Sequence, residues 1–329
     1  MKHLLLGLLL TVAPQILCAQ TAPKTLPVHV SLVQPISVDG RASGEHTYQF
    51  SFNIFSGTVG GIKGLQIGSL YNQVNGDVVG VQYSGLLNVV KGNVTGYQTG
   101  GITNISKTVV GVQQAGISNH AKDVTGVQMA GIANTASNVT GVQLGGILNR
   151  AKRLNGLQIG LINVADSVGT GAAIGLINIV RKNGYREIEL SSADYQTIGI
   201  SYKSGVRWLY SILSMGYSTR PQSLFSAGAG IGGVVASKAN WHLKPELITY
   251  SYVADRLDFD MTTQSTHLRV GFMRTAGKVG ITIMPSVYYA NIPKRLEGDL
   301  TETSLIQPFV QTNRGRFGFG LALGVALLK

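Results

Sequence analysis

Five histidines lie beyond the first twenty residues: His29, His46, His120, His242 and His267. None stands at metal-ligand spacing from another or from a pair of acids, so no metal site is expected. His242, His267, Asp255 and many serines supply the types for an acyl-transfer or hydrolytic set on neighbouring strands, but no spacing singles them out. Asp255, Asp258 and Asp260 cluster in one segment, yet lack the glycine and distal glutamate of a calcium loop. The run from Gly228 to Gly233 has the composition of a dinucleotide turn, with no helix to follow it. The expectation is of a chain that is not an enzyme and holds no cofactor; a small membrane-barrel enzyme is the alternative.

One constellation is regular. Counting eleven residues from successive glycines, from Gly80 onward, lands on Lys91, Lys107, Lys122, Ser137, Lys152, Ser167 and Lys182. Stacked on one edge, with Arg150, Arg153 and Arg181 nearby, these five lysines would form a positive ridge able to meet phosphate or carboxylate groups on a polymer. A solvated edge that blocks aggregation is the plainer reading.

The element that would stack them is a repeat. A unit Gly-Val-Gln-x-x-Gly-Ile-x-Asn begins at Gly64, Gly80, Gly96, Gly111, Gly126, Gly141, Gly156 and, without its glutamine, Gly171, with steps of 16, 16 and then 15. Fifteen residues hold two short strands and two turns, so each unit reads as one coil of a parallel β-solenoid that buries its apolar side only against its neighbours. Eight coils span about 38 Å. Val127 and Ile132 are expected inside. The asparagine column (Asn72, Asn88, Asn104, Asn119, Asn134, Asn149, Asn163, Asn178) is expected to bond along the stack as a structural ladder. The glutamine column (Gln66, Gln82, Gln98, Gln113, Gln128, Gln143, Gln158) is expected to face outward. Thr95, Thr125 and Thr140 begin a third column that Val110 and Asn155 break, which argues against an ice-binding array.

Around the repeats runs a period of two. Residues 45–56 alternate as one strand, and 195–203, 206–219, 224–236, 239–253, 264–275, 277–291 and 313–328 continue the pattern, making eight candidates. In the last, Phe317, Phe319, Leu321, Leu323, Val325 and Leu327 alternate with glycine and alanine. Large apolar residues opposite small or polar ones is the inside-out pattern of an outer-membrane barrel. The expected fold is all-β, a solenoid over 57–186 inserted in an eight-stranded antiparallel barrel made of 45–56 and 187–329; a solenoid plus a soluble β-sandwich is the alternative. With the array between strands one and two, it would face outward. Eight strands leave no room for a solute pore.

Lys2, an apolar run from Leu4 to Leu17 and then Cys18, Ala19 and Gln20 read as a signal peptide over 1–19, followed by a segment 20–44. Cleavage after Ala19 would remove the sole cysteine, and with it any disulfide or thiolate chemistry. The net charge of +12 becomes +11 when Lys2 leaves. After the leader no apolar stretch is long enough for a helical span.

The units Gly64-Leu65-Gln66-Ile67-Gly68 and Gly156-Leu157-Gln158-Ile159-Gly160-Leu161-Ile162-Asn163 resemble those of the surface-repeat proteins of Gram-negative bacteria, over roughly 64–180. The resemblance implies an exported, cell-surface protein and no particular activity. Expected partners are outer-membrane lipid, lipopolysaccharide or anionic glycans, and not nucleic acid; adhesion is the expected role, with a soluble polysaccharide-binding solenoid as a further alternative.

Overall fold

The structure, a computed structural model, describes residues 25–219, 223–254, 263–291, 308–312 and 315–329. The leader at 1–19 and the aspartates 255, 258 and 260 lie outside them. Two all-β units follow one another: a parallel solenoid of about nine turns and a closed eight-stranded antiparallel barrel.

In the solenoid Thr108–Ala115, Asp123–Ala130 and Asn138–Gly145 lie parallel and in register, so that Gly111, Gly126 and Gly141 are opposite one another. Shorter strands, such as Ser118–His120 and Ala133–Thr135, stack on the second side. The leading glycine is required by the backbone. Gly126 has φ +131°, and a Cβ there would stand 2.0 Å from the Gly111 carbonyl oxygen. Along this coil Val124, Gln128, Ala130, Asn134 and Ala136 point inward, while Ile132 is exposed. This corrects two expectations: Val127 is half-buried and Ile132 lies outside, and the glutamines point in. Both strand parities carry aliphatic residues, so hydrophobicity could not choose between them, and a shift of one flips every side chain.

The expected first barrel strand also belongs to the solenoid. Thr47–Asn53 pairs in parallel with Thr25–Val33 on one side and with Gly61–Gly68 on the other, so residues 25–44 of the expected N-terminal segment contribute the first coil. A short antiparallel strand, Ile36–Ser37, and a 3-10 turn, Gly40–Glu45, lie at this end.

All eight barrel strands follow the array, which is therefore not inserted in the barrel. They are β1 (Tyr185–Ala193), β2 (Gln196–Val206), β3 (Leu209–Ser218), β4 (Leu224–Gly232), β5 (Trp241–Ala254), β6 (Thr263–Ala276), β7 (Val279–Asn291) and β8 (Gly315–Leu328). Each pairs with the next, and β1 pairs with β8 to close the ring, which rules out the open sandwich. Strand β1 takes the place assigned to 45–56. The turn between the expected strands 195–203 and 206–219 falls at Arg207 and Trp208.

Barrel alternation is inside-out. On β8 Phe319, Leu321 and Leu323 are exposed, whereas Ala322 and Ala326 are buried. The glycines of β4 leave space inside for larger neighbours: a Cβ on Gly228 would meet the Tyr250 ring at 2.7 Å, and one on Gly232 the Tyr210 ring at 2.8 Å.

The solenoid ends against the outside of this wall. Ser204 and Val206 of β2, with Leu209 and Ser211 of β3, share the parity opposite to the inward Lys203 and Tyr210. Val206 and Leu209 cover Ala172 and Val180 of the last coil, and Asn178 donates through Nδ2 to Ser211 Oγ at 2.7 Å. The barrel wall thus does for the last coil what another coil would do.

Candidate functional site

Lys91, Lys107, Lys122, Lys152 and Lys182 are all exposed and occupy one turn edge of the solenoid. The backbone holds the column: the Lys122 amide donates to the Lys107 carbonyl at 2.9 Å, that of Ser137 to Lys122 at 2.8 Å, and that of Lys152 to Ser137 at 2.9 Å. The backbones therefore repeat at coil spacing, about 4.8 Å. Among the described residues none of the five makes an ion pair, whereas Arg181 is paired with Asp166 at 3.2 Å. Asp123 accepts from Asn138 Nδ2 at 2.5 Å. A row of free ammonium groups on a rigid edge can bind a repeating anion with little ordering cost.

The interior columns are ladders. Each glutamine donates back to its predecessor, as in Gln128 Nε2 to Gln113 Oε1 at 2.8 Å and Gln143 Nε2 to Gln128 Oε1 at 2.8 Å. Asparagines donate the opposite way: Asn119 Nδ2 reaches Asn134 Oδ1 at 3.0 Å, and Asn134 Nδ2 reaches both Asn149 Oδ1 at 3.0 Å and the Leu144 carbonyl at 2.7 Å. The asparagine ladder starts one rung earlier than the repeat, at Asn53, and ends on Ser211 of the barrel. The glutamine ladder stops where Ala173 replaces glutamine opposite Gln158, whose Oε1 is left without a partner. All these amides are occupied in holding coils together.

The bore of the barrel carries a feature that sequence reading missed. Glu187, Glu189, Lys203, Lys244, Glu246 and Arg269 are all almost fully buried and form one network. Lys203 Nζ lies 2.9 Å from Glu187 Oε1, 2.9 Å from Glu189 Oε2 and 2.8 Å from Glu246 Oε1; Lys244 Nζ lies 2.6 Å from Glu187 Oε1; Arg269 Nε lies 2.7 Å from Glu246 Oε2. Tyr185 donates to Glu187, and Tyr210 to Glu246 at 2.7 Å. Three acids balance three bases, and they plug the bore. The signal was present: Glu189, Lys244, Glu246 and Arg269 each sit between two apolar residues of a strand, as Glu189 does between Ile188 and Leu190.

The histidines singled out for catalysis lie apart. His267 is buried within the bore, its Nε2 2.9 Å from Ser265 Oγ, with the rings of Tyr195 and Tyr288 centred 4.2 and 5.2 Å away. Its Nδ1 has no partner among the described residues. A catalytic histidine needs an acid on that nitrogen and a path for substrate; here packing surrounds it. His242 sits on β5 near the end beside the solenoid, bonded to Ser237 Oγ at 2.8 Å and beside Arg207. Asp255 is outside the described residues.

On the outer wall aromatic side chains gather at the two ends. Trp208 and Trp241, both exposed, mark the end where the solenoid docks. The pairs Tyr217–Phe225 and Tyr289–Phe317 mark the other. Between them the exposed residues are mostly apolar, such as Ile200, Leu247, Leu268 and Ile283, with Phe272 and Phe319 on the same rungs and Thr249 among them. From Val279 to Tyr289 the tilted strand rises roughly 25 Å.

The chain matches no family model, no curated protein and no solved structure.

Proposed function

We propose that this chain is an outer-membrane protein whose barrel is the anchor and whose solenoid is a rigid rod that presents a lysine edge to an anionic polymer of the envelope. The observation that carries the reading is the apolar outer wall bounded by two aromatic girdles around a charged, filled interior, the arrangement that suits a strand barrel in lipid and no barrel in water. The likeness of the repeats to surface-repeat proteins agrees with an envelope location.

The rod and the last residue lie at the barrel end whose three connections are two, eight and two residues long, against two, five, eight and twenty-three at the other end. Outer-membrane barrels keep short turns and termini on the periplasmic side. The reading therefore favours a periplasmic rod; outward presentation rested on an insertion that the chain does not have.

Labelling of Lys122→Cys with a membrane-impermeant maleimide tests the arrangement in cells. Labelling only after the outer membrane is permeabilised is the expected result; labelling of intact cells would move the rod to the cell surface, and recovery of the protein in the soluble fraction would end the membrane reading. For the edge itself, replacing Lys91, Lys107 and Lys122 with Gln should weaken binding to an anionic polysaccharide such as heparin by at least about tenfold at low salt and flatten its salt dependence. Unchanged binding removes the lysine edge from the proposal.

A further inference from the structure

The solenoid has a second edge, opposite the lysines. Within one coil the turn at Gly131 and Ile132 and the turn at Ala136 and Ser137 are separated by the short strand Ala133–Thr135, so they lie on opposite sides of a flat coil. The first of these turns carries an unbroken aliphatic column from Leu70 through Ile117, Ile132 and Ile147 to Leu161 and Leu176, its members 41–47 % exposed. Its backbone is stacked in register, the Ile132 amide donating to the Ile117 carbonyl at 3.0 Å and the Ile147 amide to the Ile132 carbonyl at 3.1 Å. A groove lined by Met129, Leu144, Ile159 and glycines runs beside it. No structural demand of the solenoid explains the column, because the ladders and the inward valines already form the core. An apolar strip of this length on a folded surface marks a binding face.

What covers it follows from where it leads. The groove continues into an open trough of about 550 Å³, one side of which is Ile159, Leu161, Ile174 and Leu176 and the other Ile231 and Leu247 of the barrel wall. Ile231 and Leu247 lie on the rung of Ser211, three residues inward from Trp208 at the hairpin tip. The aliphatic edge therefore meets the barrel on the lipid side of the tryptophan girdle. The last coil is capped by outward-facing residues of β2 and β3, so the rod leaves from the side of the barrel rather than along its axis.

We infer that the solenoid lies along the bilayer surface with its Leu/Ile edge sunk among the acyl chains of the leaflet next to the short-turn end, holding the lysine edge on the side away from them. The inference rests on the membrane reading of the barrel and goes beyond it, since a membrane barrel could equally hold its rod clear of the lipid. The occupant is a lipid surface, argued from continuity with the apolar wall; the energetics are those of an interfacial amphipathic element, here built from stacked turns instead of a helix.

The test uses the full chain with Cys18→Ser, reconstituted in phosphatidylethanolamine–phosphatidylglycerol vesicles that carry a nitroxide lipid spin-labelled near the headgroup. An environment-sensitive fluorophore is placed by Ile117→Cys or Ile147→Cys on the aliphatic edge, by Lys122→Cys or Lys152→Cys on the lysine edge, and by Leu268→Cys on the barrel wall. Lipid quenching of at least about threefold is expected at 117, 147 and 268, and little at 122 and 152. Quenching at 268 without quenching at 117 and 147 overturns the inference and leaves the barrel reading standing. Absence of quenching at 268 overturns both. Emission at 117 that ignores the nitroxide but shifts with protein density assigns the edge to a second copy of the chain and also overturns it. Ile117→Asn, Ile132→Asn and Ile147→Asn together, all outside the core, should reduce quenching of a label at Leu161→Cys by at least about twofold while that at 268 persists; an unchanged signal at 161 counts against the edge.

Discussion

A primary amide buried among valines ordinarily costs stability, and Gln128 escapes that cost only because the repeat supplies a copy of it above and below. Gln128→Leu keeps the volume, leaves Gln113 Oε1 without its donor and leaves Gln143 Nε2 with only a long bond to the Arg150 carbonyl at 3.4 Å. The expected loss is about 2–3 kcal/mol, one stranded amide oxygen and one weakened donor. Urea unfolding of the solenoid reads it; a variant as stable as the parent would mean that the ladder contributes nothing. His29, fully buried in the first coil, donates or accepts at Ser51 Oγ through Nδ1 at 3.1 Å, and its Nε2 is unpartnered. Burial lowers its pKa below 6.5, against the raising effect of Asp39. The folded imidazole thus stays neutral to lower pH than that of the unfolded chain, which takes up a proton as pH falls through about 6.5. Stability of this end should be constant above pH 7 and decline from pH 7 to pH 5, and His29→Gln should remove that slope in limited proteolysis of the first coil. An equal slope in the variant would assign the decline to other groups. Tyr48, whose hydroxyl donates to Asp39 at 2.7 Å, has its pKa raised by burial and by that acid, and stays protonated across this range.

At the scale of the element, the coil depends on its leading glycine more than on any apolar residue. Gly126→Ala combines a positive φ with a Cβ 2.0 Å from a carbonyl oxygen that belongs to the neighbouring coil's own ladder, so neither side can yield cheaply. The expected cost exceeds about 3 kcal/mol, and protease should enter between the flanking coils first. Cleavage no faster than in the parent would contradict the stacking. The glycine period was legible in the sequence for this reason: a backbone requirement recurs wherever the backbone conformation recurs. The parity of the strands was not. Val124 and Val127 are the same residue type three positions apart, and only the hydrogen bonds between coils decide that the first points in. The lysine and aliphatic edges differ in the same way. A column of lysines announces itself by charge, but the column from Leu70 to Leu176 reads as core until the turn that carries it is seen to lie outside.

In the whole molecule the barrel and the rod are joined through a wall that serves both. Its interior network stands at the solenoid end, where Glu246 accepts from Lys203, Tyr210 and Arg269 at once. Glu246→Gln leaves two buried cations short of a partner, a change that typically costs about 3–5 kcal/mol. The heat-modifiable band of the folded barrel should then disappear at a lower temperature than in the parent, and an unchanged transition would show that the network is not part of what holds the ring closed. The sequence by itself determined the unit of the solenoid, the inside-out alternation of the barrel and the lysine column, because each is a local period that a strand or coil must express wherever it lies. Only the tertiary structure decided that 47–53 pairs with the repeats and that Tyr185–Ala193 completes the ring. Those choices depend on which neighbour lies beside a strand, and alternation is the same for a parallel neighbour in a coil as for an antiparallel one in a barrel.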